Sequence, residues 1–352
     1  PAFRMAMSAL DERSRDVLRT VIHLHVSTGE PVGSESLSRA MGRTLSSATL
    51  RNIMADLERA GYLEHPHTSA GRMPTDEGYR FYVDSLMSHR PLPPRELAAI
   101  DSELRPKDAP PGRVIENASH ILSRLSRNVG FVVATDLTQA SFRHIDLVRL
   151  GYPRILVVMV SRTGLVTNKV IEVEEDLSQD QLQTCQGYLN AHFAGLTLTA
   201  IRARLLELMC EEKALYDSLL KQVLSVGSQA FADENEETSF YLDGTADMLE
   251  QPEFEDVSRM RTVFRAFEEK SRLVKILNAC LQGEGVRIVI GHEIPDPALT
   301  DLSLVTSFCP VEGDAGWAVG VLGPSRMEYS RVISLVEHMA RAVSRALTEL
   351  RS

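Results

Sequence analysis

Arg51 and Asn52 stand side by side in a stretch whose apolar residues recur at helical spacing, with Ser46, Ser47 and Thr49 just ahead and Arg59 two turns on. These side-chain types read nucleic acid. A guanidinium pairs with the O6 and N7 edge of guanine, a carboxamide matches adenine, and Ser or Thr hydroxyls hold phosphate oxygens. Leu50, Ile53, Met54 and Leu57 form one stripe, which places Ser47, Thr49, Arg51, Asn52, Asp56 and Arg59 on the opposite face of a helix ending near Ala60. Short polar side chains with Arg and Asn on its N-terminal half suit a major groove. Further on, His67, Thr68 and Ser69 lie in a turn-like segment. Arg72 follows and is expected near a hairpin tip, within reach of phosphate or the minor groove. The plain alternative is a solvated helix face, and pattern alone leaves the two readings level.

Other chemistries have less behind them. His65-x-His67 would share one side of a strand, but no carboxylate or cysteine stands at ligand spacing, so a polar hairpin is the better reading. His23-x-His25 lies on a helix, where positions two apart diverge. Gly283-x-Gly285 precedes a strand, whereas a dinucleotide loop follows one and opens a helix. Gly291-His292-Glu293 has no Ser or Cys nucleophile beside it and reads as a turn leaving a strand. Cys185, Cys210, Cys280 and Cys309 are far apart with no C-x-x-C spacing, which suggests reduced thiols in the cytoplasm rather than a metal or disulfide framework. The expectation is a non-enzyme with no metal, no cofactor and no catalytic residue.

The elements that must position Arg51 and Asn52 follow from periodicity and caps. One helix is expected from about Asp11 to Val26, a short second one from Ser34 to Met41, and the third from Ser46 or Ser47 to Ala60. Short helix, tight turn and capped helix make a helix-turn-helix. The strand-like Tyr62–His67, the turn and the return at Arg72-Met73 add a two-stranded wing. The chain has 352 residues and a net charge of −10, which by itself opposes contact with phosphates. Yet residues 1–90 carry 11 Arg, no Lys and 11 acids, so the other 262 residues hold the whole deficit. An acidic body repels DNA and limits non-specific contact. No apolar run reaches the roughly 18 residues of a membrane span.

Past residue 88 the pattern changes. Six prolines fall within 88–112 around one short helical patch, which reads as a semi-rigid linker. A helix over about 113–127 is followed by strands near 131–134, 142–148, 155–160 and 166–173. Helical signals replace them from 177 to 238, ending in the acidic run Asp233–Glu237. A helix over 257–281 precedes strands at 286–290, 302–307 and 317–321, and an amphipathic helix spans about 328–350. A sheet interrupted by a helical block and then completed implies an α+β domain carrying an inserted helical domain.

The stretch Ser47–Glu58 with Gly61-Tyr62-Leu63, and the run His67–Thr75 followed by Gly78–Asp84, resemble the heat-inducible transcription repressor family HrcA. Gly244-Thr245 with Gln251–Phe254, and Gly323-Pro324-Ser325-Arg326-Met327-Glu328-Tyr329 with Val332-Ile333, extend the resemblance over nearly the whole chain. The resemblance implies a repressor that binds an inverted-repeat operator upstream of chaperone operons and is kept active by the GroEL chaperonin. It also implies a GAF-like domain carrying an inserted dimerisation domain. The expected fold class is thus α+β: an N-terminal winged helix-turn-helix, and a GAF-like α/β domain with an inserted, mainly helical dimerisation domain. The division is 1–88 for the DNA-binding domain, 89–112 for the linker, 113–176 with 240–352 for the GAF-like domain, and 177–239 for the insertion. The expected partners are double-stranded operator DNA, a second copy of the chain and a GroEL-type chaperonin, with no membrane. The alternative is a ligand-sensing winged-helix regulator that uses its GAF-like domain.

Overall fold

Asp11 starts the first helix: its carboxylate accepts from the Ser14 N–H at 2.8 Å, satisfying one of the donors a helix start leaves open. The computed structural model describes residues 10–66, 71–88, 90–104, 111–134, 141–162, 166–210, 218–231, 240–249, 251, 254, 256–269, 273, 276–277, 285–309 and 316–349. Helices α1 (Glu12–Thr28), α2 (Ser34–Ala40) and α3 (Ser47–Arg59) bury Val17, Leu18, Val21, Ile22, Leu37, Leu50, Met54 and Leu57 against one another. Strands β1 (Leu63–Glu64) and β2 (Met73–Pro74) pair antiparallel. Helix α4 (Asp76–Phe81) continues as a wider turn over Tyr82–Leu86.

The proline-rich stretch contains α5 (Pro94–Leu104), whose Ile100 and Leu104 are almost fully buried. Then come α6 (Pro111–Ser126), β3 (Val129–Ala134), β4 (Phe142–Gly151), β5 (Arg154–Ser161) and β6 (Val166–Glu172). Helices α7 (Gln179–Phe193), α8 (Leu198–Cys210) and α9 (Ser218–Ala230) follow, then β7 (Phe240–Asp243), α10 (Thr245–Leu249) and α11 (Val257–Glu268). Strands β8 (Val286–Ile290), β9 (Leu302–Cys309) and β10 (Trp317–Pro324) lead to the last helix, α12 (Tyr329–Glu349). The helix expected over 257–281 is thus α11, and residues 278–284 lie outside the described ones, as does the acidic run 233–237.

The fold is mixed α+β. Strands β7-β3-β10-β9-β8 form a five-stranded antiparallel sheet buried on both faces. Alternation assigns the two sides. Val132, Ala134, Val319 and Val321 meet α6 and α12, while Phe131, Val133, Ala318 and Leu322 meet Val263, Ala266 and Phe267 of α11. The core on the α12 side runs on without a break into the buried residues of α1–α3.

The three strands β4-β5-β6 do not join that sheet, which corrects the expected split at residue 177. They form a sheet of their own, and Ile145, Leu147, Ile155, Val157 and Ile171 pack against Leu182, Cys185, Leu189 and Phe193 of α7, Ile201 of α8 and Val223 of α9. The unit inserted between β3 and β7 therefore begins with three strands, and helices α7–α9 follow. Strand patterning reports which face is buried, but not which sheet a strand joins.

Candidate nucleic-acid interface

Ser46 caps α3: its Oγ accepts from the Thr49 N–H at 3.1 Å and lies 2.9 Å from the Thr49 hydroxyl. The connection from α2 is tight. Gly42 and Arg43 both take left-handed conformations, the Arg43 N–H bonds the Ser38 carbonyl at 2.8 Å, and the Ser38 hydroxyl bonds the Leu45 carbonyl at 2.9 Å. With Leu50, Met54 and Leu57 turned inward, Thr49, Arg51, Asn52, Asp56 and Arg59 are exposed and Ser47 is half-buried. Arg51 and Asn52 make no side-chain hydrogen bond or ion pair among the described residues. Arg59 is held by Asp56 one turn back.

Electrostatics separate α3 from its neighbours. Glu12 in α1, Glu35 in α2, and Asp76 and Glu77 in α4 occupy first turns, where the helix dipole favours carboxylates. The first turn of α3 carries none. Its positive end faces outward between hydroxyls, which suits a phosphate. Arg43, exposed in the turn just before α3, adds a cation that the helical reading passed over. Its signal was the Gly42-Arg43 step ahead of a capped helix.

The hairpin corrects one expectation. Arg72 does not stand free at a tip: its Nε donates to Glu58 Oε2 at 2.8 Å, its side chain is 17% exposed, and its backbone exchanges both hydrogen bonds with Val32. The Glu64↔Met73 pair leaves Arg72 at the base of the loop, beside a carboxylate on the last turn of α3. His67, Thr68 and Ser69 lie outside the described residues. Gly71 has a steric reason to be glycine, since a Cβ there would come 2.4 Å from the Val32 carbonyl carbon. Arg72→Ala is expected to lower stability by about 1–2 kcal/mol, the scale of a charged hydrogen bond, and to leave the salt slope of DNA binding unchanged. Urea unfolding and DNA titration across salt concentrations check this. A slope reduced by about one with unaltered stability would restore a phosphate role.

The family model described as the HrcA protein C terminal domain matches residues 112–333. A heat-inducible transcription repressor HrcA of Geobacter sulfurreducens is 42% identical over 97% of this chain and 99% of its own. The chain belongs to the HrcA family. The namesake from Syntrophobacter fumaroxidans is 40% identical over the same shares. A crystal structure described as a hypothetical protein shares the fold, with a TM-score of 0.60 at 22% identity, covering 98% of this chain and 100% of that one.

In this HrcA chain the two most recognisable runs meet each other. Arg80 donates from Nε to Glu293 Oε1 at 2.8 Å and from Nη2 to the Ile288 carbonyl at 2.8 Å. Asp76 accepts from the His292 backbone N–H at 3.0 Å and lies 2.6 Å from its Nδ1, a contact that raises the His292 pKa. Gly291-His292-Glu293 is a tight turn leaving β8 and engaged in this way. The rings of Tyr79 and Tyr329 lie 5.9 Å apart, and the buried Tyr329 hydroxyl donates to Ser325 O at 2.8 Å. Arg326 Nη1 reaches the Val26 carbonyl at 3.1 Å. A Cβ on Gly78 would come 2.2 Å from the Tyr62 carbonyl oxygen, so α4 docks only through glycine. The Gly78–Asp84 and Gly323–Tyr329 runs thus form the joint between the N-terminal helices and the body.

Among the described residues no group of three or more His, Cys, Asp and Glu side chains gathers as for a metal, and no helix is long and apolar enough to cross a membrane.

Proposed function

We propose that this chain is a heat-inducible transcription repressor whose residues 10–88 are a winged helix-turn-helix. It reads an inverted-repeat operator with α3 and is not an enzyme. The observation that carries the reading is α3 itself: an exposed helix with an acid-free first turn, a hydroxyl cap and unengaged Arg51 and Asn52. Full-length similarity to proteins named heat-inducible transcription repressors supports it. Thr49, Arg51 and Asn52 contact bases; Ser46, Ser47 and Arg43 bind phosphate, while Arg59 is tied to Asp56; His67, Thr68 and Ser69 also contact DNA. The body, residues 111–134 with 240–349, is the GAF-like domain, and 141–231 is the inserted unit.

Two copies bind together, because an inverted repeat has two-fold symmetry. The inserted unit offers the surface. The face of β4–β6 turned away from α7–α9 carries Val148, Leu156 and Val170 in one cross-strand row, with Val158, Val160 and Val166 beside them. Val148, Val166 and Val170 are 44%, 58% and 50% exposed. An exposed apolar row on a sheet face, flanked by Asp146, His144 and Asn168, fits an interface with a second copy. A GroEL-type chaperonin keeps the repressor competent.

The deciding experiment is fluorescence anisotropy with a chaperone-operon operator and a scrambled duplex at several salt concentrations. A specific complex, at least a thousandfold tighter than the scrambled one and weakened by salt, is expected. Equal affinity for both duplexes removes the repressor reading. The same titration after heating and cooling, with and without a GroEL-type chaperonin, tests the last part: recovery only with the chaperonin is expected.

A further inference from the structure

At the joint between the N-terminal helices and the body lies a half-open cleft of about 1270 Å³, above the usual range of roughly 300–1,000 Å³ for small-molecule sites. Ile22, His23, Val26 and Tyr82 line one side, and the end of α6 with Arg326–Ser330 lines the other.

Four arginines face this space: Arg90, Arg124, Arg127 and Arg326. Two are engaged. Arg124 is gripped by both oxygens of Glu103 at 2.8 Å, and Arg326 donates to the Val26 carbonyl at 3.1 Å. Arg90 and Arg127 have no side-chain hydrogen bond or ion pair among the described residues. The cleft's two carboxylates do not answer them. Asp243 is occupied by His120 Nδ1 at 2.5 Å and by the Gly244 N–H at 2.7 Å, and Glu328 makes no side-chain ion pair with either arginine among the described residues. In a chain of net charge −10, guanidinium groups have carboxylates in abundance to pair with. Arg90 and Arg127 are both exposed, and against the one unpaired carboxylate Glu328 they leave this concavity with an excess of positive charge, which suits an anion. Arg127 is also held at φ 56°, a left-handed conformation that a side chain adopts at a cost and that helix ends normally give to glycine. Such strain persists where a residue is needed in its place.

We propose that this cleft binds a phosphate-bearing small molecule. Arg90 and Arg127 hold the phosphate, whose oxygens match the guanidinium fork. Val26, half-buried on the cleft wall, receives the less polar remainder. The ligand touches both the N-terminal helices and the body, so it fixes their relative placement and by linkage alters DNA affinity. Only that last consequence rests on reading the N-terminal unit as a DNA-binding head.

Isothermal titration of the full chain with inorganic pyrophosphate and with ATP, at constant ionic strength, tests the site. Saturable binding is expected with at least one probe, at least tenfold weaker in Arg127→Ala and in Arg90→Ala. Arg113→Ala, on the exposed start of α6 outside the cleft, should bind as the parent does. Thermal unfolding without ligand should be the same for all four proteins. No saturable heat with either probe, or undiminished affinity in Arg90→Ala and Arg127→Ala, overturns the proposal. So does a reduced salt slope of operator binding in those two variants without any phosphate probe, which would place DNA in the cleft. Saturable, arginine-dependent binding that leaves operator affinity untouched upholds the ligand site and removes only its link to DNA.

Discussion

Val148→Glu with Val170→Glu is expected to give a folded monomer whose operator affinity is more than a hundredfold weaker than the parent's. Both valines lie in one row across β4–β6, opposite Leu156, on the face that no helix covers among the described residues. A two-fold interface sets a patch against its own copy, so four carboxylates would enter one apolar surface. A charge buried without a partner costs several kcal/mol, enough to dissociate an ordinary dimer. Folding should survive, because the core of this unit lies on the other face, among Ile145, Val157, Leu182 and Leu189. The operator effect follows from lost bivalency: linking two weak half-site contacts gains about 10²–10⁴ in affinity without any new contact. Light scattering, urea unfolding and operator titration together check it. A variant that keeps the parent's dimer mass would move the interface away from this sheet.

The same unit shows where sequence reading stops. Helix ends were legible because caps are local: Asp11 and Ser46 each accept from a backbone N–H three residues on, as their types and places foretell. Buried faces were legible for the same reason. The apolar stripes of α7–α9 are covered by β4–β6 of the same chain. Periodicity states that a face must be buried and is silent on what buries it. Arg72 failed likewise. Its type and its place in a hairpin suggested a phosphate, and only the chain path brings the Glu58 carboxylate within 2.8 Å. Helix α4 had a readable start, with Thr75 capping the Gly78 N–H at 3.1 Å and acids following, yet Gly78–Asp84 was legible only as a motif. That run and Gly323–Tyr329 lie about 245 residues apart, and their meeting through Tyr79 and Tyr329 belongs to the tertiary fold. Of the reading surface itself, α3 was legible almost completely, because an exposed helix face needs no distant partner to define it.

That face supports the sharpest test of base reading. Arg51→Ala and Asn52→Ala should each weaken operator binding by about 1–3 kcal/mol per half-site, roughly 5- to 150-fold, and relax base preference at one position in each half-site. Neither change threatens the fold. Both side chains are exposed and unengaged, and alanine favours a helix more than asparagine does. The two residues are neighbours on the helix and turn about 100° apart, so they address adjacent bases. Their effects should therefore be distinct in position and close to additive. Arg59→Ala is the internal control: Asp56 already holds that guanidinium, so its loss should cost less than about 0.5 kcal/mol, as at an ordinary surface site. Titrating each variant against operators carrying every single-base change in one half-site reads both affinity and preference. Losses spread evenly over all sequences, with the salt slope falling by about one, would make Arg51 and Asn52 phosphate contacts and leave the base-reading role to other residues of the head.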